Sequence, residues 1–198
     1  MREAFYEESA ISARSQSEIK LYTTFKVFAF IFFVAGGLLA TFAATIVAGA
    51  TDQTSGAELA FALIEYFGLI ALLIGAGLIF WFLKNRFNVS YDYTFVEDEL
   101  RITKVFNGKR RKHLIALKAD HILQIGWVES DAFRRQLAGM QGKKPKVMTS
   151  NREPMEGKEL YYILYSSSIE KSLYVIEARQ PMLEYLVRAA GRNKLERK

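Results

Sequence analysis

The sequence predicts an α+β membrane protein: a two-helix transmembrane hairpin followed by a β-rich domain of about seven strands closed by a C-terminal helix. Three observations carry this. Residues 27–50 hold no charged side chain, and residues 59–83 hold one, Glu65. Residues 84–198 carry 23 of the 27 Lys+Arg. That same region alternates apolar and polar residues with period two and ends on an amphipathic segment. The mean hydropathy of +0.04 over 198 residues therefore averages two unlike polymers.

Residues 1–24 are polar and read as a cytoplasmic, partly helical or flexible lead-in. The first span, Val27 to Ala50, is apolar or small throughout. As a helix at about 1.5 Å per residue it reaches roughly 36 Å, enough to cross a ~30 Å hydrocarbon core with some tilt. A soluble core helix of that length would need a polar face, and this run has none. A signal peptide would be shorter, would start earlier, and would follow a basic segment. Here residues 1–26 balance four bases against four acids. The second span, Leu59 to Leu83, follows at once, which makes a hairpin over residues 25–84.

The loop from Gly49 to Glu58 has no Lys or Arg, whereas Arg2, Arg14, Lys20 and Lys26 precede the first span and Lys84 and Arg86 follow the second. The positive-inside rule then places both termini in the cytoplasm, with the chain crossing the inner (plasma) membrane twice. Tyr22, Tyr66 and Trp81 suit interfacial aromatic anchors. Small residues at helical spacing, Gly36, Ala40, Ala44 and Ala48 in span one and Ala71 and Gly75 in span two, let backbones approach closely. A neighbouring stripe runs through Gly37, Thr41, Thr45 and Gly49. These stripes pack the two spans together or bind another subunit. Glu65, the one ionisable group inside a span, is either an interfacial carboxylate reaching outside water or a contact for a partner helix or proton.

Residues 84–198 set 23 bases against 14 acids, a net charge of +9. Val89 to Val96 alternates through Val89, Tyr91, Tyr93 and Phe95, and Glu97-Asp98-Glu99 makes a polar turn. Leu100 to Phe106 alternates again, and Asn107-Gly108 is a hairpin signal because both residues tolerate positive φ. Arg111 to Leu117 and His121 to Val128 complete a four-strand meander. Residues 129–158 read as a long excursion with a short helix near Ala132–Ala138 and a short strand near Lys146–Thr149. Strands return at Leu160 to Tyr165 and Ser172 to Ala178. Pro181 suits a first helical turn, and Leu183, Leu186, Val187 and Ala190 form its apolar face, with Gly191 as cap.

The stretch YDYTFVEDELRITKVFNGKRRKHLIAL (Tyr91 to Leu117) and the ending SLYVIEARQPMLEYLVRAAG (Ser172 to Gly191) resemble the pleckstrin-homology-like fold. The whole chain resembles small bacterial membrane proteins with an N-terminal helical hairpin and a C-terminal PH-like domain, here 85–198. The resemblance implies two sheets forming a partly open barrel plugged by the last helix. It also implies a binding module more than an activity. Phosphoinositide-binding PH domains carry basic residues between their first two strands. Here that turn is Glu97-Asp98-Glu99, so that recognition is not carried over.

Without cysteine, disulfide frameworks, thiol nucleophiles and Cys-ligated metals are excluded. His113 and His121 supply too few ligands for a metal site, and Asp120 beside His121 adds little. Ser166-Ser167-Ser168 lacks a nucleophile-elbow context, and no P-loop or dinucleotide fingerprint is present. No cofactor, metal or catalytic residue is expected. The candidate anion contacts are Lys84, Arg86, Lys109, Arg110, Arg111, Lys112, Lys143, Lys144 and Lys146. A base near an anionic headgroup surface is worth about 1 kcal/mol. The alternative is a solvated sheet edge and topology-setting charge. No nucleic-acid module accompanies these bases. The expected function is a non-enzymatic, membrane-anchored module that binds a protein partner, the anionic inner membrane surface, or both. The alternative is an accessory subunit of a larger transporter or secretion assembly, and an oligomer fits either.

Overall fold

The computed structural model describes residues 5–49, 55–140, 142–167 and 170–196, without the side chains of Ala44, Ile46 and Val47. Ala50 and most of the loop between the spans therefore lie outside the described residues, as does Ser168. The chain forms two units: Gln16–Phe87, and the residues up to Ser15 together with those from Asn88 onward.

The first unit is a pair of antiparallel helices, α1 (Ser15–Gly49) and α2 (Gly56–Leu83). Both are long and apolar enough to cross a membrane. A capping box starts α2: Ser55 Oγ accepts from the Glu58 N–H at 3.3 Å, and Glu58 Oε2 accepts from the Ser55 N–H at 3.3 Å. Glu58 thus belongs to a helix end, satisfying donors the first turn would otherwise leave open. Large side chains such as Phe30, Phe42, Phe61, Leu72 and Phe82 point outward and are exposed.

The helices meet along a seam of alternating three- and four-residue steps. On α1 it runs Tyr22, Phe25, Ala29, Phe32, Gly36, Leu39; on α2 it runs Leu63, Tyr66, Ile70, Leu73, Gly77, Phe80. That average of 3.5 is the spacing of helices that coil around each other. A Cβ on Gly77 would lie 2.7 Å from the Phe33 ring, and one on Gly36 would lie 3.0 Å from Ile74. Phe80 packs on Phe25, Phe28 and Phe32 at 5.4–5.6 Å between ring centres. The small-residue stripe read from the sequence differs from this seam. Gly36 lies in it, but Ala40, Ala48 and Ala71 are exposed, and nothing approaches the Gly75 Cβ position within 4 Å. The Ala44 side chain is outside the described residues. An i, i+4 stripe drifts around the helix, whereas the seam keeps to one side. Thr41 and Thr45 donate their hydroxyls to their own helix, at Leu38 and Phe42 carbonyls. Tyr66, expected at the outer interface, faces α1 and donates to the Leu39 carbonyl.

The second unit holds two four-stranded sheets. The first orders β1 (Phe5–Ala10), β2 (Val89–Val96), β3 (Glu99–Phe106) and β4 (Arg110–Lys118), all antiparallel. The second orders β5 (Ile122–Trp127), β7 (Glu159–Ser166), β8 (Lys171–Ala178) and the two-residue β6 (Lys146–Val147). Between β5 and β6 lies α3 (Asp131–Gly139), capped by Ser130, and α4 (Gln180–Ala190) follows β8. One core joins both sheets and α4, with Tyr93, Phe95, Leu100, Ile102, Ile125, Ile163, Ile176 and Met182 essentially inaccessible.

Three expectations change. Residues 1–24 are partly helical, from Ser15 on, but the segment ahead of the helix is not a flexible lead-in. Phe5–Ala10 is a strand, paired with β2 from Phe5↔Val96 to Ala10↔Tyr91, and the helix already starts at Ser15. The meander is therefore β1 to β4, and the strand at Ile122 opens the second sheet. The described residues hold eight strands rather than about seven, one of them before the helices. Consequently Glu97-Asp98 is the second connection of the domain, a two-residue turn with φ of 49° and 59°. The connection between the first two strands is the helical hairpin itself, so the acidic turn does not occupy the position argued from the resemblance.

Side chains fasten β1 in place. Ser9 Oγ donates to Asp92 Oδ1 at 2.7 Å, and Glu8 Oε1 accepts from the Arg179 N–H at 3.0 Å, next to the start of α4. Burial pushes the Glu8 carboxyl above its ordinary range, opposed by the Arg179 N–H and by Lys158.

The seam gives a direct test. Gly77→Leu drives a side chain into Phe33 and should cost about 1–3 kcal/mol. Thermal unfolding in detergent should show a lowered Tm for Gly77→Leu and an unchanged one for Gly75→Leu.

Candidate functional site

The basic residues do not form one patch. Asn107 and Gly108, both at positive φ (52° and 66°), turn β3 into β4, and Lys109, Arg110, Arg111 and Lys112 follow on an exposed edge. Arg111 lies 3.6 Å from Asp92 Oδ2. Among the described residues Lys109, Arg110 and Lys112 have no carboxylate within ion-pair distance. Lys112 sits opposite Lys104 in the sheet register, an unfavourable like-charge pair.

The position of this turn is set by pairing. Val89 faces Phe106, Asn107 N–H donates to the Asn88 carbonyl at 2.8 Å, and Asn88 Nδ2 donates to Asn107 Oδ1 at 2.7 Å. Ala10 faces Tyr91. The basic turn therefore lies at the end of the sheet where β1 runs out toward α1 and where the chain returns from α2.

Two of the three lysines in the second basic group share one carboxylate. Lys143 Nζ is 2.6 Å and Lys146 Nζ 3.9 Å from the Glu170 carboxylate. The hydrogen bond and charge of Lys143 hold Glu170 below the usual carboxylate range. Lys146 also donates to Ser172 Oγ at 3.2 Å. Lys144 remains exposed. Lys84 is buried, with Nζ 3.0 Å from the Trp81 ring centre, a cation–π contact that removes it from the exposed bases. Arg86 is exposed in the turn after α2. Glu65 is exposed on α2, outside the seam.

Two clefts flank the Trp127–Glu159 pair. One, of about 710 Å³, runs along α4 and is lined by Tyr161, Leu183, Val187 and Leu195; the other, of about 400 Å³, is lined by Glu129, Ser130, Pro154 and Glu196. Glu159 Oε2 accepts from Trp127 Nε1 at 2.7 Å and from the Tyr161 hydroxyl at 3.0 Å. Burial, then the bond to Glu159, pushes the Tyr161 phenol well above its ordinary range. No spacing in the sequence announces this pair, because its members belong to strands 32 positions apart.

A third cluster is a buried carboxylate. Glu177 on β8 is inaccessible; Oε2 accepts from Thr149 Oγ1 at 2.6 Å and Asn151 Nδ2 at 2.7 Å, and Oε1 accepts from the Met155 N–H at 3.0 Å. Asn151 also donates to the Ile11 carbonyl and accepts from the Ala13 N–H, both at 2.8 Å. One side chain thus pins the 148–155 loop and the link between β1 and α1 to the same strand. The donors offset the cost of burying this charge. His113 and His121 are not brought together: His113 faces Thr103 on β4, and His121 sits in a turn 3.6 Å from Asp120. Among the described residues, no three His, Asp or Glu side chains are grouped to hold a metal ion.

Removing Asn151 leaves the Glu177 carboxylate with fewer donors. Asn151→Ala should cost about 1–3 kcal/mol, the penalty for an under-satisfied buried group. Thermal unfolding should register it as a drop of several degrees, whereas Arg152→Ala next door, whose side chain is exposed, should leave Tm unchanged.

Neither a curated protein nor a solved structure matches this chain. A family model, the Bacterial PH-like domain (DUF6106), matches residues 4–196. The match takes in β1, both apolar helices and both sheets, so the hairpin belongs to the family's own architecture: the chain is a member of the Bacterial PH-like domain family.

Proposed function

We propose that this chain is a non-enzymatic, membrane-anchored PH-like module whose β-domain lies against the anionic inner face of the membrane that α1 and α2 cross, and there binds a protein partner. The observation that carries the reading is the open basic turn, Lys109 to Lys112, at the end of the sheet from which both helices depart. Two sheets around one core, with α4 packed into it, support a partly open barrel.

The pairing of β1 with β2 bears on topology. One strand precedes the helices and the other follows them, so both helix ends must open on the same side of a bilayer if both helices cross it. The basic flanks and the Lys- and Arg-free loop favour that side being the cytoplasm. Anchoring holds the domain at high effective concentration beside the membrane, so weak contacts suffice. With three bases that meet no carboxylate among the described residues, at about 1 kcal/mol each, the turn contributes roughly 3 kcal/mol of attraction, reduced by salt.

A second reading, an accessory subunit of a larger membrane assembly, draws on Ala40, Ala48 and Ala71. They face away from the helix seam and leave smooth surfaces on which another helix can pack.

The full-length protein in lipid nanodiscs distinguishes the charge-driven reading. Amide exchange over residues 107–112 should slow in discs with anionic lipid and recover at high salt. It should not slow in neutral discs or in a Lys109→Glu/Arg110→Glu/Lys112→Glu variant. Equal protection in neutral and anionic discs would contradict the reading.

A further inference from the structure

β5 is the edge strand of the second sheet, and an edge presents unpaired N–H and C=O groups to any extended segment that fits. The chain's own C-terminal segment occupies part of it. After α4, Gly191 turns at φ 108°, Arg192–Lys194 forms one 3-10 turn, and Leu195 then bridges Ile125 in parallel. The Glu196 N–H donates to the Ile125 carbonyl at 2.8 Å.

The Glu196 side chain enters a formed recess. Its Oε2 accepts from Ser130 Oγ at 2.8 Å and from the Tyr162 hydroxyl at 3.3 Å. Tyr162 is inaccessible, and Ser130 also caps α3, so the carboxylate rests at the positive end of that helix. Gly126 on β5 makes the room: a Cβ there would collide with the Glu196 carboxylate and would lie 2.7 Å from the Tyr162 ring. Leu195 packs against the edge of the core.

Among the described residues Leu195 and Glu196 engage β5 at Ile125, within a strand of six residues. Leu195 borders the cleft along α4, and Glu196 borders the smaller cleft beyond Trp127. A segment with further residues on either side of such a pair would reach into both clefts.

We propose that the β5 edge, with Gly126, Ser130 and Tyr162, is a binding site for an extended peptide segment of a partner protein that presents an apolar residue followed directly by a carboxylate, and that Leu195-Glu196 is its intramolecular competitor. This rests on the reading of the chain as an interaction module and supplies the chemistry of the partner. Main-chain bonds to β5 give the affinity; the apolar–acidic pair gives the selection.

The probe is a fluorescein-labelled peptide of residues 191–198, GRNKLERK, titrated by anisotropy into the full chain in nanodiscs. A chain ending at Asn193 should bind it at least tenfold more tightly than the intact chain, because its own competitor is gone. In that background Ser130→Ala, or replacing the peptide's glutamate with glutamine, should weaken binding about tenfold. Replacing its leucine with serine should abolish binding. Should the truncated chain not fold, Glu196→Ala in the full chain decides, since a loosened tail should raise peptide affinity. Equal affinity for intact and tail-loosened chains, or indifference to Ser130→Ala and to the peptide's glutamate, would overturn the site. Retained anionic-lipid protection of residues 107–112 in the same samples would confine that failure to this site.

Discussion

Six residues ahead of the first helix pair with six behind the second, Phe5–Ala10 against Tyr91–Val96, and the β-domain is built on that pairing. Closing a flexible loop over the 80 residues between Ala10 and Tyr91 would cost about 4 kcal/mol, with a further constant for closure itself. The helix pair removes much of that cost. Its antiparallel seam holds Tyr22 and Phe25 near Lys84 and Phe87, so the two chain ends already emerge together. Each unit thereby prepares the other: the seam supplies neighbouring ends, and the sheet uses them as neighbouring strands.

The same constraint decides where chemistry can sit. The basic turn after Asn107 is tied by two hydrogen bonds to Asn88, the first residue of the domain after α2. The bases therefore lie at the end of the sheet where β2 begins. Asn151 adds a second tie, holding the link after β1 to the buried Glu177 carboxylate. The β5 edge belongs to the other sheet and bears different chemistry: a recess that receives a carboxylate, beside apolar clefts. The basic edge and the carboxylate-accepting edge thus lie on different sheets.

Much of this was legible in the sequence, for physical reasons. Uninterrupted apolar runs admit few readings, and the alternation in Val89–Val96 and Leu100–Phe106 is the pleat itself. Asn107-Gly108 turns as its conformational freedom suggests, and Leu183, Leu186, Val187 and Ala190 do face the core. β1 escaped notice because its inward positions are Tyr6, Glu8 and Ala10. A glutamate among them breaks the apolar alternation, and the Arg179 N–H and Lys158, both distant in sequence, help make its placement tolerable. The helix seam escaped because it relies on aromatic rings facing single glycines, Phe33 on Gly77, rather than on two small stripes. The Glu177 network and the Glu196 recess draw their donors from other elements, which no local pattern encodes. Leu195-Glu196 reads as an ordinary polar tail until β5 is seen beside it.

The most direct measurement tests the pairing across the hairpin. The sequence has no cysteine, so the double variant Glu7→Cys/Thr94→Cys reports one contact without background. These residues face each other on the outer side of β1 and β2, where facing Cβ atoms lie about 4.5–5.5 Å apart. Mild oxidation of the full-length protein in membranes should link them rapidly, while Phe5→Cys/Asp92→Cys, four residues out of register, should stay reduced. No disulfide in the first pair, or equal yields in both, would contradict a β-domain completed by the strand that precedes the helices.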